Sequence, residues 1–221
     1  MNEPSSCELH HLVWGLPRNA WPFSRTSLPP NAIYFVFESG EFAVYCGRSK
    51  QRIVRVGSHR ADRRFPGRMR DHYGPLNKLG GNKNSSVFRK HLGGALIRRR
   101  DPDDPLQQEW LKQGASSARE IEEAVSRYMR DRMTFTFIEV TLGEERVRLE
   151  SALIATLAQD PIAPPSPSWL GRHAADPIVR ATGLWNTQHV LSPRLTAREF
   201  VRLRFLAGMD ARSGELQDRG A

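Results

Sequence analysis

The run MTFTFIEV (Met133–Val140) constrains this chain more than any other segment. It is built of β-branched and aromatic residues with neither Pro nor Gly, and reads as a strand. Two other stretches share that character. AIYFVFE (Ala32–Glu38) is apolar and β-rich, and RIVRVG (Arg52–Gly57) alternates apolar with basic residues as a half-buried strand does. The turn-like SGE follows the first run, and FAVYC (Phe42–Cys46) is suited to extend it into a hairpin. Between Gly57 and Met133 the periodicity is helical, so two strands come early and one returns late. The expectation is an α+β fold, a small sheet with helices packed on it.

The helical segments are read from stripes and end signals. A helix over Arg64–Tyr73 stops at Gly74-Pro75. Ser85–Arg99 carries Val87, Phe88, His91, Leu92, Ala95 and Leu96 on one stripe, with Ser85 or Asn84 as its cap. DPDDPLQQEW reads as a breaker in a surface insertion. Ser117-x-x-Glu120 and Thr141-x-x-Glu144 fit capping boxes, the first opening a stripe of Ile121, Ala124, Val125, Tyr128 and Met129. Thr196-x-x-Glu199 caps a last helix with Phe200, Leu203 and Leu206 inward. The expected organisation is an irregular N-terminal arm over 1–30 and a main domain over 31–160. A C-terminal extension with its terminal helix follows over 161–208, then a flexible tail over 209–221.

Charge narrows the partners. The net of +9 is unevenly placed: Arg48–Arg100 holds sixteen Lys/Arg against Asp62 and Asp71, giving +14, and the remainder is −5. Of the 33 basic residues 28 are Arg, whose planar fork matches phosphate oxygens. Such segregation points to a polyanion, with nucleic acid leading. No window approaches the ~18 apolar residues of a membrane span. The opening MNEPSSCELHHLVWGLPRNAW lacks a charged region followed by an apolar run, so no secretory signal is expected. Two cysteines make no disulfide framework, and a reducing cytoplasm is the expected setting. Cys7, His10 and His11 have no second ligand pair at zinc-like spacing, and neither a GxxxxGK[ST] nor a GxGxxG phosphate loop is present.

Three constellations are able to carry chemistry. In the helix Glu144–Gln159, Glu150 lies on the face of Val147, Leu153, Ile154 and Leu157, where a buried carboxylate needs compensation. It is either a salt-bridge partner or a divalent-metal ligand. Arg68 and His72 stand at i and i+4 on one helix face, where the guanidinium disfavours protonation of the imidazole. That pair suits a phosphodiester, with Arg stabilising developing charge and His moving a proton, or else it is a solvated basic face. Tyr34 sits in an apolar strand, either as core or at the rim near His59, which follows Gly57.

Together these residues resemble the GIY-YIG nuclease superfamily in its restriction-endonuclease-like branch, over about Ala32–Gln159. Ala32-Ile33-Tyr34 stands at the first signature, with Ala for its glycine. Arg68, His72 and Glu150 match helix residues and the metal-binding glutamate. Two registers exist for the second signature. Tyr45-Cys46-Gly47 is one; Arg55-Val56-Gly57, preferred because IVRVGSH is the better strand, is the other, with arginine for tyrosine. In that register His59 or Arg55 takes over the tyrosine's work. Asn186 is the candidate for the family's downstream asparagine.

The resemblance implies a mainly antiparallel three-stranded sheet flanked by helices and a Mg²⁺-dependent DNA endonuclease, Mn²⁺ being an alternative metal. Tyr34 positions or deprotonates water, His72 accepts the proton, Glu150 holds the metal and Arg68 neutralises charge. Arg52, Arg64, Arg70, Lys83, Arg89 and Lys90 are the expected DNA contacts, the helix Ser85–Arg100 entering a groove and Gly80–Asn84 touching the backbone. A homodimer is expected if both strands are cut. Two other readings stand beside this one: a module on the same scaffold that binds nucleic acid without cutting, and a basic protein acting on an acidic partner.

Overall fold

The computed structural model describes residues 3–45, 47–112, 114 and 118–209. Expectations for Cys46, Ser117 and residues 210–221 lie outside the described residues. The sheet has three antiparallel strands in the order β2-β1-β3: β1 is Ala32–Tyr45, β2 is Arg48–Gly57 and β3 is Met133–Glu139. The β1–β2 pairing resumes beyond a register shift, so residues 42–45 form the distal extension of the hairpin.

Over Ala32–Phe37 the central strand is apolar because both of its faces are covered there. Tyr34 and Val36 point into one core with Val54 and Phe135. That face is covered by α2 (Phe65–Tyr73), α3 (Val87–Arg100), α4 (Leu106–Leu111) and α5 (Arg119–Arg132). Ile33, Phe35 and Phe37 point into the other core with Ile53, Val56 and Ile138. There they meet α1 (Ser6–Trp14), α6 (Gly143–Gln159) and α8 (Ala197–Leu206). A short 3₁₀ turn (Leu170–His173) and α7 (Pro177–Thr182) complete the chain.

Several local expectations are corrected. The N-terminal arm is not irregular throughout: Ser5 and Glu8 form a capping box for α1, whose Leu9, Leu12 and Val13 are buried, while residues 15–30 carry no helix or strand. DPDDPLQQEW contains α4, and its Trp110 is core. Ser86, not Ser85 or Asn84, caps α3 by accepting from the Arg89 amide. Leu142 occupies the N-cap of α6 with no side-chain bond, so Thr141-x-x-Glu144 is not a capping box. Ala118 likewise begins α5 with no side-chain cap. The Thr196–Glu199 box forms as expected.

The C-terminal extension is woven into both cores, through Trp169, Leu170 and Trp185 on one side and Leu184, Leu195 and Leu203 on the other. It also covers the outer edge of β2. The Trp185 amide donates to the Val54 carbonyl at 2.7 Å. Asn186 completes the pairing at Val56, donating to its carbonyl at 2.8 Å and accepting from its amide at 3.0 Å. On the opposite edge, Asn19 and Phe135 exchange backbone bonds of 2.8 and 2.9 Å. A sheet with only three strands thereby has both edges engaged near the site.

Candidate active site

In the antiparallel register Tyr34 pairs with Gly57 and Phe35 with Val56, so Ala32-Ile33-Tyr34 and Arg55-Val56-Gly57 lie side by side at one end of the sheet. Tyr45 pairs with Arg48 at the far end of the hairpin, which leaves the Arg55 register as the one that adjoins Tyr34. The glycine is required here. A Cβ on Gly57 would lie 2.2 Å from the Tyr34 hydroxyl oxygen, so only a bare backbone admits the ring.

Tyr34 Oη lies 2.6 Å from His72 Nε2, and His72 Nδ1 lies 2.7 Å from Ser86 Oγ. Both rings are buried. Burial first, then the charges of Arg68, Arg55 and Arg89, hold the His72 proton affinity well below the ordinary histidine value. A neutral ring that accepts from Tyr34 at Nε2 carries its hydrogen on Nδ1 and donates to Ser86, the residue that caps α3. The Tyr34–His72–Ser86 hydrogen-bond chain is therefore anchored to a helix terminus.

Above this pair opens a cleft of about 790 Å³, whose walls include Arg55, His59, Arg64, Arg68, Glu150 and Asn186. Arginines outnumber carboxylates in the lining, with Arg60 and Arg70 added to those three against Asp71 and Glu150. A neighbouring hollow of about 1020 Å³ shares Arg70, Asp71 and Ser85 with it, so the concavity continues along α2. Arg68 and Glu150 face the cleft itself. Tyr34 and His72 do not line it: they are buried behind the Gly57 end of β2, so the four residues given catalytic roles by the resemblance do not all meet in the cleft.

Glu150 is bound to the residue that follows the second signature. The Ser58 amide donates to Oε1 at 2.9 Å, and the Ser58 hydroxyl donates to Oε2. Among the described residues no arginine is paired with this carboxylate, although five arginines share the cleft lining with it. Among the described residues, no group of three or more His, Cys, Asp or Glu side chains gathers to hold a metal. One carboxylate with a neighbouring hydroxyl suits a hydrated Mg²⁺ that shares its coordination with substrate phosphates, rather than an all-protein cage.

The remaining expected residues divide sharply. Arg68 Nη1 donates to the Ser85 carbonyl at 3.0 Å, which tethers the α3 N-terminus to the cleft wall. His59 uses both ring nitrogens on backbone, accepting from the Ala32 amide at 3.3 Å and lying 2.7 Å from the Ala61 carbonyl oxygen. Burial lowers its proton affinity as well. It fixes the start of β1 rather than offering a free base, and Asn186 spends its amide on Val56. Arg64 and Arg70 are exposed at the cleft, Arg64 with Asp71 at 3.3 Å.

Three expected DNA contacts are structural instead. Arg52 is buried against Glu41 at 2.6 Å, and Arg89 against Glu122 at 2.6 Å. The Lys83 ammonium is buried on the Lys112 carbonyl at 2.9 Å, while its amide donates to Glu122. The Gly80–Asn84 loop is correspondingly tied down, with Ser126 bonded to both Gly80 backbone groups. The α3 helix is likewise a core element: a Cβ on Gly93 would lie 2.3 Å from the Trp110 ring, and only Arg99 and Arg100 among its basic residues are exposed. Lys90 is half-buried and away from the cleft lining. Ser58, Ser86 and Trp185 were not singled out from sequence; their positions after a signature strand, before an apolar stripe and beside Asn186 were the available signals.

Signature strands in register, a buried Tyr–His pair and a cleft bearing two carboxylates among arginines make up a small α+β domain of the kind found in nucleases. Residues 20–202 match the family model described as GIY-YIG domain, and the chain belongs to the GIY-YIG family. That span takes in most of the C-terminal extension, in keeping with Trp185 and Asn186 completing the β2 edge. No curated protein and no solved structure matches the chain. Among the described residues, no helix is long and apolar enough to cross a membrane.

Proposed function

We propose that this chain is a metal-dependent DNA endonuclease that hydrolyses phosphodiester bonds in the Arg68–Glu150 cleft. The observation that carries the reading is the Tyr34–His72 hydrogen bond, set behind a cleft that holds a guanidinium and a carboxylate. As water attacks phosphorus and the bond to the leaving oxygen breaks, the water proton would pass to Tyr34 Oη through an opening at the Gly57 end of β2 that substrate binding must supply, while the Tyr34 proton moves to His72 Nε2. The arginines that disfavour an imidazolium in the resting protein are offset by the negative charge that develops on the phosphorane. His72 Nδ1 keeps its hydrogen on Ser86 throughout. Arg68 meets the pentavalent phosphate as its charge grows.

Glu150, aided by the Ser58 hydroxyl, would hold Mg²⁺ or Mn²⁺, which when bound supplies Lewis-acid stabilisation of the phosphate and leaving oxygens. Exposed Arg60, Arg64 and Arg70 grip the flanking backbone, so affinity falls steeply with salt. Cutting both strands requires a homodimer or two encounters. The second reading is a module that binds without cutting, favoured by Arg55 in place of the second tyrosine. Supercoiled plasmid incubated with the protein in Mg²⁺, Mn²⁺ or EDTA decides between them. Metal-dependent nicking supports the nuclease, whereas salt-sensitive binding without any cleavage selects the module.

A further inference from the structure

Four arginines are buried near the sheet, and three of them follow a common rule. Arg52 donates through Nη1 to the Gly183 carbonyl and through Nε and Nη2 to Glu41 Oε2. Arg89 donates through Nη1 to the His72 carbonyl and through Nε and Nη2 to Glu122 Oε2. Arg146 uses Nε, Nη1 and Nη2 on His59, Val140, Thr141 and Asp62. Each has all three nitrogens satisfied, as burial of a guanidinium demands.

Arg55 begins the same pattern and leaves it unfinished. Its Nη1 donates to the Trp185 carbonyl at 2.6 Å, the counterpart of the Gly183 and His72 carbonyls. Its Nε is buried with no partner among the described residues, and no hydrogen bond there engages Nη2. The edge that holds a carboxylate in Arg52 and Arg89 therefore holds nothing in Arg55, although the residue is only 8% exposed.

That vacant edge belongs to a residue of the cleft lining. A β-bulge puts it there. Val36 pairs with Arg55 and Phe37 with Ile53, so Val54 is the extra residue and Arg55 turns toward α3, on the Tyr34 side of the sheet. The guanidinium carbon lies 4.7 Å from the centroid of the Phe88 ring, within cation–π range. One amino group is bonded and the aromatic contact backs the cation while the Nε–Nη2 fork stays unengaged. Such a preorganised cation fits an oxyanion delivered from the cleft.

We infer that the Nε–Nη2 edge of Arg55 is a phosphate-binding site that receives a non-bridging oxygen of the nucleic-acid backbone, at the position where the family has its second tyrosine. The inference rests on the reading of the cleft as a nucleic-acid site, and assigns Arg55 a contact distinct from that of Arg68. The tyrosine's replacement would then exchange a hydroxyl at this position for a bidentate charged grip.

The test is the salt dependence of binding to a fluorescent 20-base-pair duplex, measured in EDTA so that no cleavage intervenes. Arg55→Gln keeps a donor for the Trp185 carbonyl and removes the charge. Its slope of log affinity against log salt is expected to fall by about one, the amount for one lost phosphate contact, with the melting temperature little changed. Arg55→Lys should retain the wild-type slope. An unchanged slope in Arg55→Gln would overturn the assignment and leave the nuclease reading standing. Absence of salt-dependent binding by the wild type would instead overturn the nucleic-acid reading, and the Arg55 site with it. Should Arg55→Gln fail to fold, the Arg55 Nε–H resonance of the wild-type protein, assigned by its loss in Arg55→Lys, must shift when the duplex is added; a stationary resonance overturns the proposal.

Discussion

Tyr34 Oη and His72 Nε2 lie 2.6 Å apart with both rings buried, so a strand residue and a helix residue 38 positions apart in sequence form one hydrogen-bonded unit. Removing the hydroxyl breaks that unit while leaving the ring to fill its space. Tyr34→Phe is expected to lower single-turnover cleavage by roughly 10²–10⁴-fold, the usual span for a general acid–base group. Stability should fall by about 1–3 kcal/mol, because His72 Nε2 loses its buried partner.

The pH profile tests the same unit independently. His72 must be neutral to accept, and burial with Arg68, Arg55 and Arg89 holds its proton affinity well below the usual value of 6.5. Activity should persist as pH falls through 6.5 and fail only well below it. An acid limb of kcat/KM at or above pH 6.5 would contradict the assignment.

Gly57 is the point at which signature and fold meet. Gly57→Ala forces a Cβ to within 2.2 Å of Tyr34 Oη, which only displacement of the ring or of β2 relieves. Overpacking of this kind costs about 1–3 kcal/mol, and cleavage should be lost even where the fold survives. Denaturant unfolding and plasmid cleavage on the same preparation separate the two effects.

Much of this arrangement was legible in the sequence, for physical reasons. The positions of Arg68 and His72 on one helix follow from i,i+4 spacing, and Glu150 stood out as a carboxylate on an apolar stripe. The sheet followed from three β-rich runs whose alternation or composition is local. What was not legible depended on long-range partners. Arg52 and Arg89 counted as surface charge because nothing nearby marks Glu41 and Glu122 as buried acceptors, 11 and 33 residues away. The burial of Trp169 and Trp185 has no local signal, because their indole acceptor, buried Glu38, lies 131 and 147 residues earlier. Charge segregation points to a polyanion partner but does not tell which cations are exposed and which are buried.

Arg89 therefore makes an internal prediction against its sequence reading. Arg89→Ala leaves Glu122 buried without its cation and should destabilise the protein by about 3–5 kcal/mol. A milder substitution that folds, Arg89→Lys, should leave the salt slope of duplex binding at the wild-type value. A reduced slope would return Arg89 to the nucleic-acid interface.

Acid sensitivity should arise partly from the N-terminal helix. His10 accepts from the Ile53 amide at 3.0 Å through Nε2, and burial, with smaller contributions from Arg52 and Arg18, lowers its pKa from 6.5 to about 4. A depressed histidine contributes stability that is present above pH 6.5 and lost as pH falls through about 4. Across that window the loss attributable to His10 is roughly 3 kcal/mol. Urea unfolding of the wild type and His10→Gln between pH 7 and pH 4 checks it: the variant should show a shallower decline.

The central claim is most directly tested by supercoiled plasmid cleavage with Mg²⁺ or Mn²⁺, run in parallel for the wild type, Tyr34→Phe and Glu150→Ala. Metal-dependent nicking or linearisation by the wild type, abolished in Glu150→Ala and strongly slowed in Tyr34→Phe with duplex binding intact in all three, is the predicted result. Undiminished cleavage by Glu150→Ala would contradict the account, because the carboxylate held by Ser58 would then have no part in the chemistry.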